Sequence, residues 1–351
     1  MAATLLTAVG ELVPWMQGRA DALDRDAAFP AAELNRLRAA GALSPALPVL
    51  GSGSADELSA LLCLVGQGNL SVGRVFEAHL NALHLIARYG AAGRPDDERL
   101  YALWVTDPQT GGLRMQRHGE RILLTGGKQF CSGAGHATAA LVTAQDESGE
   151  PRMLVLPLGI GETVTPLPSP LQGMRAAVTG AVDFTGCEVS AAALLGDTGD
   201  YMREPDFSAG AWRGSAVALG GLIALLDHGV TQLRSTGRLS NPQAQDRLGR
   251  ALIARETSRA WVAAASRAAE DLAADTGYRI ATVGLARIAV ETACLDAMRL
   301  MQRSLGLLAF RQGNLVELIC RDLSTYLRQP DPDAVLTEAA VWFANNPQAR
   351  I

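Results

Sequence analysis

The spacing of apolar residues changes period twice along this chain, and that constrains its fold more than any single motif. From the start to about residue 90, apolar residues recur at helical spacing, as in Leu5, Val9, Leu12 and Trp15–Met16. From about 100 to 199 the pattern breaks into short runs of β type. After Asp206 the helical period returns and persists to the end. A chain of this kind must place a β unit between two helical ones.

The punctuation supports each zone. Pro30 opens a helix expected over 31–40, and Gly41 stops it. Ser54-Ala55-Asp56-Glu57 reads as a cap before a helix over 58–66, and 72–89 continues the pattern to Gly90. In the middle, 101–106, 121–125, 139–144, 153–157, 163–166 and 181–184 read as strands separated by Gly, Asp and Pro. Hairpin turns are expected at Gly119-Glu120 and at 146–150. Such strands predict a small barrel or sandwich. Segments 211–233, 243–274, 277–307 and 315–327 are long and rich in Ala, Leu and Arg, and a further one follows Pro332. They predict an antiparallel four-helix bundle. The expected class is α+β, mainly α, with an N-terminal helical domain at 1–99, a β domain at 100–199 and a bundle at 200–351.

A hydrophobic fraction of 48% over 351 residues permits a sizeable core and excludes global disorder. The net charge of −5, with arginines scattered singly, gives no electrostatic case for nucleic acid or for an anionic membrane surface. The five cysteines form no CxxC pair and suit neither a zinc site nor a disulfide framework, so they read as reduced and mostly buried. The N-terminus lacks a basic region followed by a long apolar one, and apolar runs such as 216–226 are too short to span a bilayer. A cytoplasmic protein is expected.

Three short signals carry the chemistry: Gly126-Gly127-Lys128-Gln129-Phe130-Cys131-Ser132-Gly133, then Gly173-Met174-Arg175, then Arg321-Asp322. In this order and spacing they resemble the acyl-CoA dehydrogenase family of FAD enzymes, across nearly the whole chain in domain order. The resemblance implies a flavin lying between the β domain and the bundle. Phe130-Cys131-Ser132 stands where the family packs an aromatic on the isoalloxazine and bonds a hydroxyl near N5. A flat ring needs an apolar wall, and N5 a polar neighbour. Thr106-Asp107-Pro108 resembles a T-E-P segment that meets FAD, here followed by a shortened loop. In the bundle, Arg234, with Arg238 as competitor, stands roughly where relatives reach the FAD pyrophosphate of a neighbouring subunit, and Gln302 with Gly306 resembles a segment that also holds FAD. Gly173-Met174-Arg175 implies closure of the β domain, with Arg175 in a salt bridge.

The same comparison exposes a gap. The family's catalytic glutamate would fall at Pro330, which cannot take a proton, and the alternative position at Gly210-Ala211-Trp212-Arg213 also lacks a carboxylate. Asp331, Asp333 and Asp206 are the nearest substitutes. His79, His84 and His136 read as structural residues, and no metal site is expected. The implied activity is oxidation of an acyl thioester at Cα–Cβ, on CoA or a carrier protein, with an electron-transfer flavoprotein as partner. Ser132-Gly133 also fits flavin monooxygenases of this fold, which take reduced flavin from a reductase. A non-catalytic flavin-binding or assembly homologue is the third reading. A homodimer or homotetramer is implied, bundle against bundle.

Overall fold

The computed structural model describes residues 2–47, 55–90, 96 and 98–349. The chain opens with α1 (Ala2–Arg25), α2 (Ala31–Ala39), α3 (Ala55–Gly68) and α4 (Leu70–Tyr89). Ser54, expected to cap α3, lies outside the described residues. Asn69 caps α4 by accepting from Ser71 N at 2.8 Å and Val72 N at 3.2 Å. Most of α4 is buried, yet it carries Arg74, Glu77, Asn81 and His84 at steps of three, four and three. That spacing puts all four on one face of the helix.

The middle segment holds β1 (Tyr101–Trp104), β2 (Arg114–His118), β3 (Arg121–Thr125), β4 (Gly127–Cys131), β5 (Ala139–Gln145), β6 (Pro151–Pro157), β7 (Thr163–Pro166), β8 (Gly180–Asp183), β9 (Glu188–Ser190) and β10 (Leu194–Leu195). One sheet runs β10-β6-β5-β2-β3-β9, with β1 parallel to β5, and a second runs β4-β8-β7. Trp104 and Leu124 from the first sheet share a core with Cys131 and Val182 from the second. The arrangement is therefore a sandwich of open sheets rather than the barrel the strand spacing also allowed. Both expected hairpin turns join antiparallel strands, β2 to β3 and β5 to β6. β2 and β4 escaped the sequence reading because Arg114–His118 is mostly polar and β4 opens on glycine and lysine.

The C-terminal part contains α5 (Asp206–Ala209), α6 (Trp212–Ser235), α7 (Pro242–Glu270), α8 (Thr276–Leu305), α9 (Leu315–Tyr326) and α10 (Pro332–Asn345). Helix α6 is the hub and touches α3, α4, α7, α8 and α9. A Cβ on Gly220 would lie 2.1 Å from the Cys63 carbonyl oxygen, so only glycine lets α6 cross α3 backbone to backbone. The stretch Asp206–Ser235 is long and apolar enough to cross a membrane by length and composition, which the shorter run 216–226 did not suggest. Its apolar window is 67% buried inside the fold, as befits a core helix. One buried cluster runs from Val9 and Met16 in α1, through Phe76 and Trp212, to Met301 and Leu323. The two helical ends of the chain thus share a core, and the sandwich sits against it.

Candidate functional site

The site begins at β4. Lys128, the only lysine in the chain, is buried there at 2% exposure. Its ammonium donates to Asp107 Oδ1 at 2.6 Å, Thr143 Oγ1 at 3.0 Å and the Val105 carbonyl at 3.3 Å. Burial lowers its pKa, and Asp107 opposes that. Gln129 N donates to the Thr106 carbonyl at 2.9 Å, so the 106–107 loop is fastened to the strand while the Thr106 side chain remains exposed.

Beyond Lys128 the chain turns abruptly. Phe130 adopts φ 55°, an uncommon conformation for an aromatic residue, and its ring is 49% exposed. Cys131, by contrast, points into the sandwich core, where burial pushes its thiol up to about 12. Its side chain is therefore a packing group of the sandwich core. Ser132 follows, buried where the sandwich meets the helices. Its hydroxyl lies 3.4 Å from Arg74 Nε and 3.4 Å from Thr179 Oγ1, and its carbonyl accepts from Trp104 Nε1 at 2.9 Å.

The three sequence signals converge here. Gly133 N donates to the Ala177 carbonyl at 2.8 Å, which ties the first signal to the second. Met174 N donates to Asp322 Oδ1 at 2.6 Å and Gly173 N to Thr325 Oγ1 at 3.1 Å, which ties the second to the third. A Cβ on Gly173 would stand 2.3 Å from the Arg321 carbonyl oxygen, so glycine is required at this contact. Met174 and Val178 also have positive φ, at 59° and 45°. With Phe130 they make a strained triplet where the sandwich meets the helices. Arg321 holds the seam from the other side, pairing with Asp24 at 2.8 Å and Glu317 at 2.9 Å and donating to the Gln172 carbonyl. Arg175 makes no salt bridge among the described residues; it donates instead to the Arg25 carbonyl at 3.2 Å.

A file of buried polar groups leads away from Ser132 along α4. Arg74 Nη1 pairs with Glu77 Oε2 at 2.7 Å. Glu77 also accepts from Asn81 Nδ2 at 2.6 Å and from the Tyr326 hydroxyl at 3.4 Å. Asn81 Oδ1 accepts from Arg213 Nη1 at 3.3 Å. Burial pulls the Arg74 pKa down, but Glu77 holds it above the usual arginine value. Burial drives the Tyr326 phenol well above the usual tyrosine value. The motif comparison missed Arg74, Glu77 and Asn81. Their signal was nevertheless present, as charged and amide groups on one face of a helix otherwise apolar.

The remaining candidates fall elsewhere. Asp331 and Asp333 are exposed at the start of α10, and Asp206 pairs with Arg88 and Tyr89. Glu77 is the carboxylate that approaches the Ser132 neighbourhood. Arg234 is exposed near the end of α6, while Gln302 and Gly306 close α8, where Arg238 donates to the Leu305 carbonyl. No contact among the described residues joins this group to Phe130 or Ser132. His79 is structural: Nε2 contacts the Leu43 carbonyl at 3.1 Å and Nδ1 accepts from Tyr101 N. His136 stacks on Phe29 at 4.3 Å beside the 132–133 turn, a ring contact rather than a hydrogen bond.

No protein-family model and no curated protein matches the chain. Solved structures do. FMN-bound TdsC from Paenibacillus sp. A11-2 superposes with a TM-score of 0.87 over 97% of both chains, at 17% identity. KijD3 with FMN and a dTDP-linked amino-keto sugar gives 0.80 at 18% identity, over 99% of this chain and 93% of that one. The nitrososynthase from Micromonospora carbonacea var. africana gives 0.82 at 19% identity, over 99% and 96%. These neighbours share one architecture, and identities this low speak to architecture alone. Helices, sandwich and bundle occur here in that order and at that scale: the chain has the acyl-CoA dehydrogenase fold.

Proposed function

We propose that this protein is a flavin-dependent oxidoreductase of the monooxygenase type, working in the cytoplasm on a small molecule with reduced flavin from a separate reductase. The residues present fit a flavin. Phe130 offers an exposed flat wall, while Ser132, Thr179 and Arg74 offer two hydroxyls and a cation beside it. That donor set suits a ring system with one polar edge. A bound flavin would supply two-electron transfer and, once reduced, reactivity toward dioxygen. The chain's own contribution is a fixed positive charge from Arg74 and a site walled by α4, β4 and the 173–178 loop.

The observation that carries the reading is the state of Glu77. α,β-Dehydrogenation of an acyl thioester needs a carboxylate free to take a proton. Glu77 is instead clamped by Arg74 at 2.7 Å and Asn81 at 2.6 Å. A carboxylate whose oxygens are both taken by neighbouring donors is not placed to reach a substrate proton. The neighbours point the same way, since TdsC is a dibenzothiophene monooxygenase and KijD3 and TdsC were solved with FMN. FMN is accordingly favoured over FAD. Acyl-thioester oxidation with FAD remains the second reading. Glu77, Tyr326 and Gln329 line one cavity of about 50 Å³, so release of Arg74 would present a carboxylate there. Domain limits near 99 and 199 belong to this proposal, as does a homo-oligomer. Ile253, Leu307 and Phe310 stand 69%, 84% and 59% exposed on the bundle, which favours a covering partner.

Fluorescence titration with oxidised and photoreduced FMN and FAD, followed by absorbance of the loaded protein with a panel of acyl-CoAs, tests the reading. Tighter binding of reduced FMN and a spectrum indifferent to every thioester are expected. Bleaching by a thioester would overturn the monooxygenase reading, and failure to bind flavin in either state would overturn both.

A further inference from the structure

At the far end of α4 a cleft of about 620 Å³ opens between α3, α4, α6, α7 and α8. Ten residues separate Arg74 from His84, or about 15 Å of helix, and the polar file from Ser132 reaches this cleft at Arg213. Leu58, Ala87, Trp212 and Leu272 give it apolar walls, and Arg213 and Arg279 stand at its polar end.

The charges there are unequally satisfied. Asp206 accepts from Arg88 Nε at 3.0 Å and the Tyr89 hydroxyl at 2.9 Å. Glu270 accepts from Arg213 Nη2 at 2.9 Å and Trp212 Nε1 at 3.2 Å. Asp271 turns its carboxylate to Ala273 N at 2.9 Å. Arg279 is different. It is 8% exposed, it donates Nη2 to the Ala269 carbonyl at 2.6 Å, and it has no carboxylate partner among the described residues. The Nε atoms of both Arg279 and Arg213 are buried without any hydrogen-bond partner, although Arg213 is only 3% exposed. Buried donors left in this state are costly unless a ligand or water completes them. Burial first, and then Arg213, Arg88 and Arg279, push His84 down to about 3 against the opposing pull of Asp206.

We infer that this cleft binds a small apolar molecule carrying a carboxylate, with the carboxylate on Arg279 and Arg213 and the apolar body against Trp212 and Leu58. A guanidinium presents planar, fork-like donors that match a carboxylate, and the apolar walls select against a bare inorganic anion. Glu270 is the internal competitor, since it already occupies one edge of Arg213.

Calorimetric titration of the full-length protein with hexanoate, 1-hexanol and inorganic phosphate provides the test, and it does not depend on flavin loading or on the proposed reaction. Hexanoate should bind, with 1-hexanol and phosphate each weaker by about tenfold or more. Arg279→Gln should weaken hexanoate by about tenfold or more. Glu270→Gln, which removes the competing carboxylate, should tighten it and guards against a misfolded Arg279 variant. Equal binding of hexanoate and hexanol overturns the inference, as does phosphate binding as tightly as hexanoate. No hexanoate binding, or a Glu270→Gln variant that binds no more tightly, overturns it equally.

Discussion

Asp322 should make the protein lose stability as pH rises through neutrality, and Asp322→Asn should remove that loss. Burial pushes this carboxyl from 3.8 to about 7; the Met174 N–H opposes the rise and the nearby Asp24 charge adds to it. Between those two values the folded chain holds a proton that the unfolded chain releases. The stabilising contribution is therefore complete below about pH 4 and disappears as pH climbs past 7. At about 1.4 kcal/mol per pH unit, the whole effect is about 4 kcal/mol. Asparagine keeps an oxygen for Met174 N and carries no charge. Urea unfolding of both proteins at intervals from pH 4 to 8, with their difference plotted, cancels the other titrating groups. The two should match near pH 4, and the variant should lead by up to about 4 kcal/mol at pH 8. A difference that stays flat across the range would show that Asp322 is ionised in the fold and that the reasoning is wrong.

Three further outcomes follow from the site. Asp107→Ala leaves the buried Lys128 ammonium with only neutral acceptors and should destabilise the protein by about 1–3 kcal/mol at pH 7, with partial recovery toward pH 10 as the lysine sheds its proton; denaturation at both pH values checks it. Phe130→Ala should lower flavin retained after gel filtration while leaving the melting temperature of the flavin-free protein within a few degrees. Unchanged flavin content would place the cofactor elsewhere. Burial lowers His79 from 6.5 to about 4, so it stabilises the fold above pH 6.5 and this stability, about 3 kcal/mol, is lost as pH falls toward 4. His79→Gln should flatten that part of the acid limb in urea titrations.

The helices and hairpins were legible because their signals are local. Period, caps and turn residues located α6 to α9 within a few residues and the strands from β5 to β8 within two. What was missed depends on contact. β4 looks like a glycine-rich turn until Lys128 finds Asp107 in the loop after β1. Cys131 sits inside a motif yet faces the core, because the strand bulges at Phe130 and its register shifts between Lys128 and Cys131. The site was legible as three motifs, but nothing local says that Met174 N meets Asp322. Arg74 and Glu77 matched no motif, although their spacing on an apolar helix announced a shared buried face. The carboxylates at 331 and 333 were nominated for nearness in sequence to an expected position, and that nearness failed because a new helix starts there.

The 173–178 loop is pinned to α9 through Asp322 and Thr325, to the end of α1 through Arg25, and to the Ser132 turn through Ala177. These few bonds are the fasteners of the sandwich to the helices at the place where Phe130 stands exposed. Opening of this seam and dismantling of the site are therefore a single event. Any molecule that binds only the closed form must suppress that event by mass action. Amide hydrogens at Gly133, Gly173 and Met174 should consequently exchange together, and slow together, when the site is filled, while those in the middle of α6 keep the rate set by global unfolding.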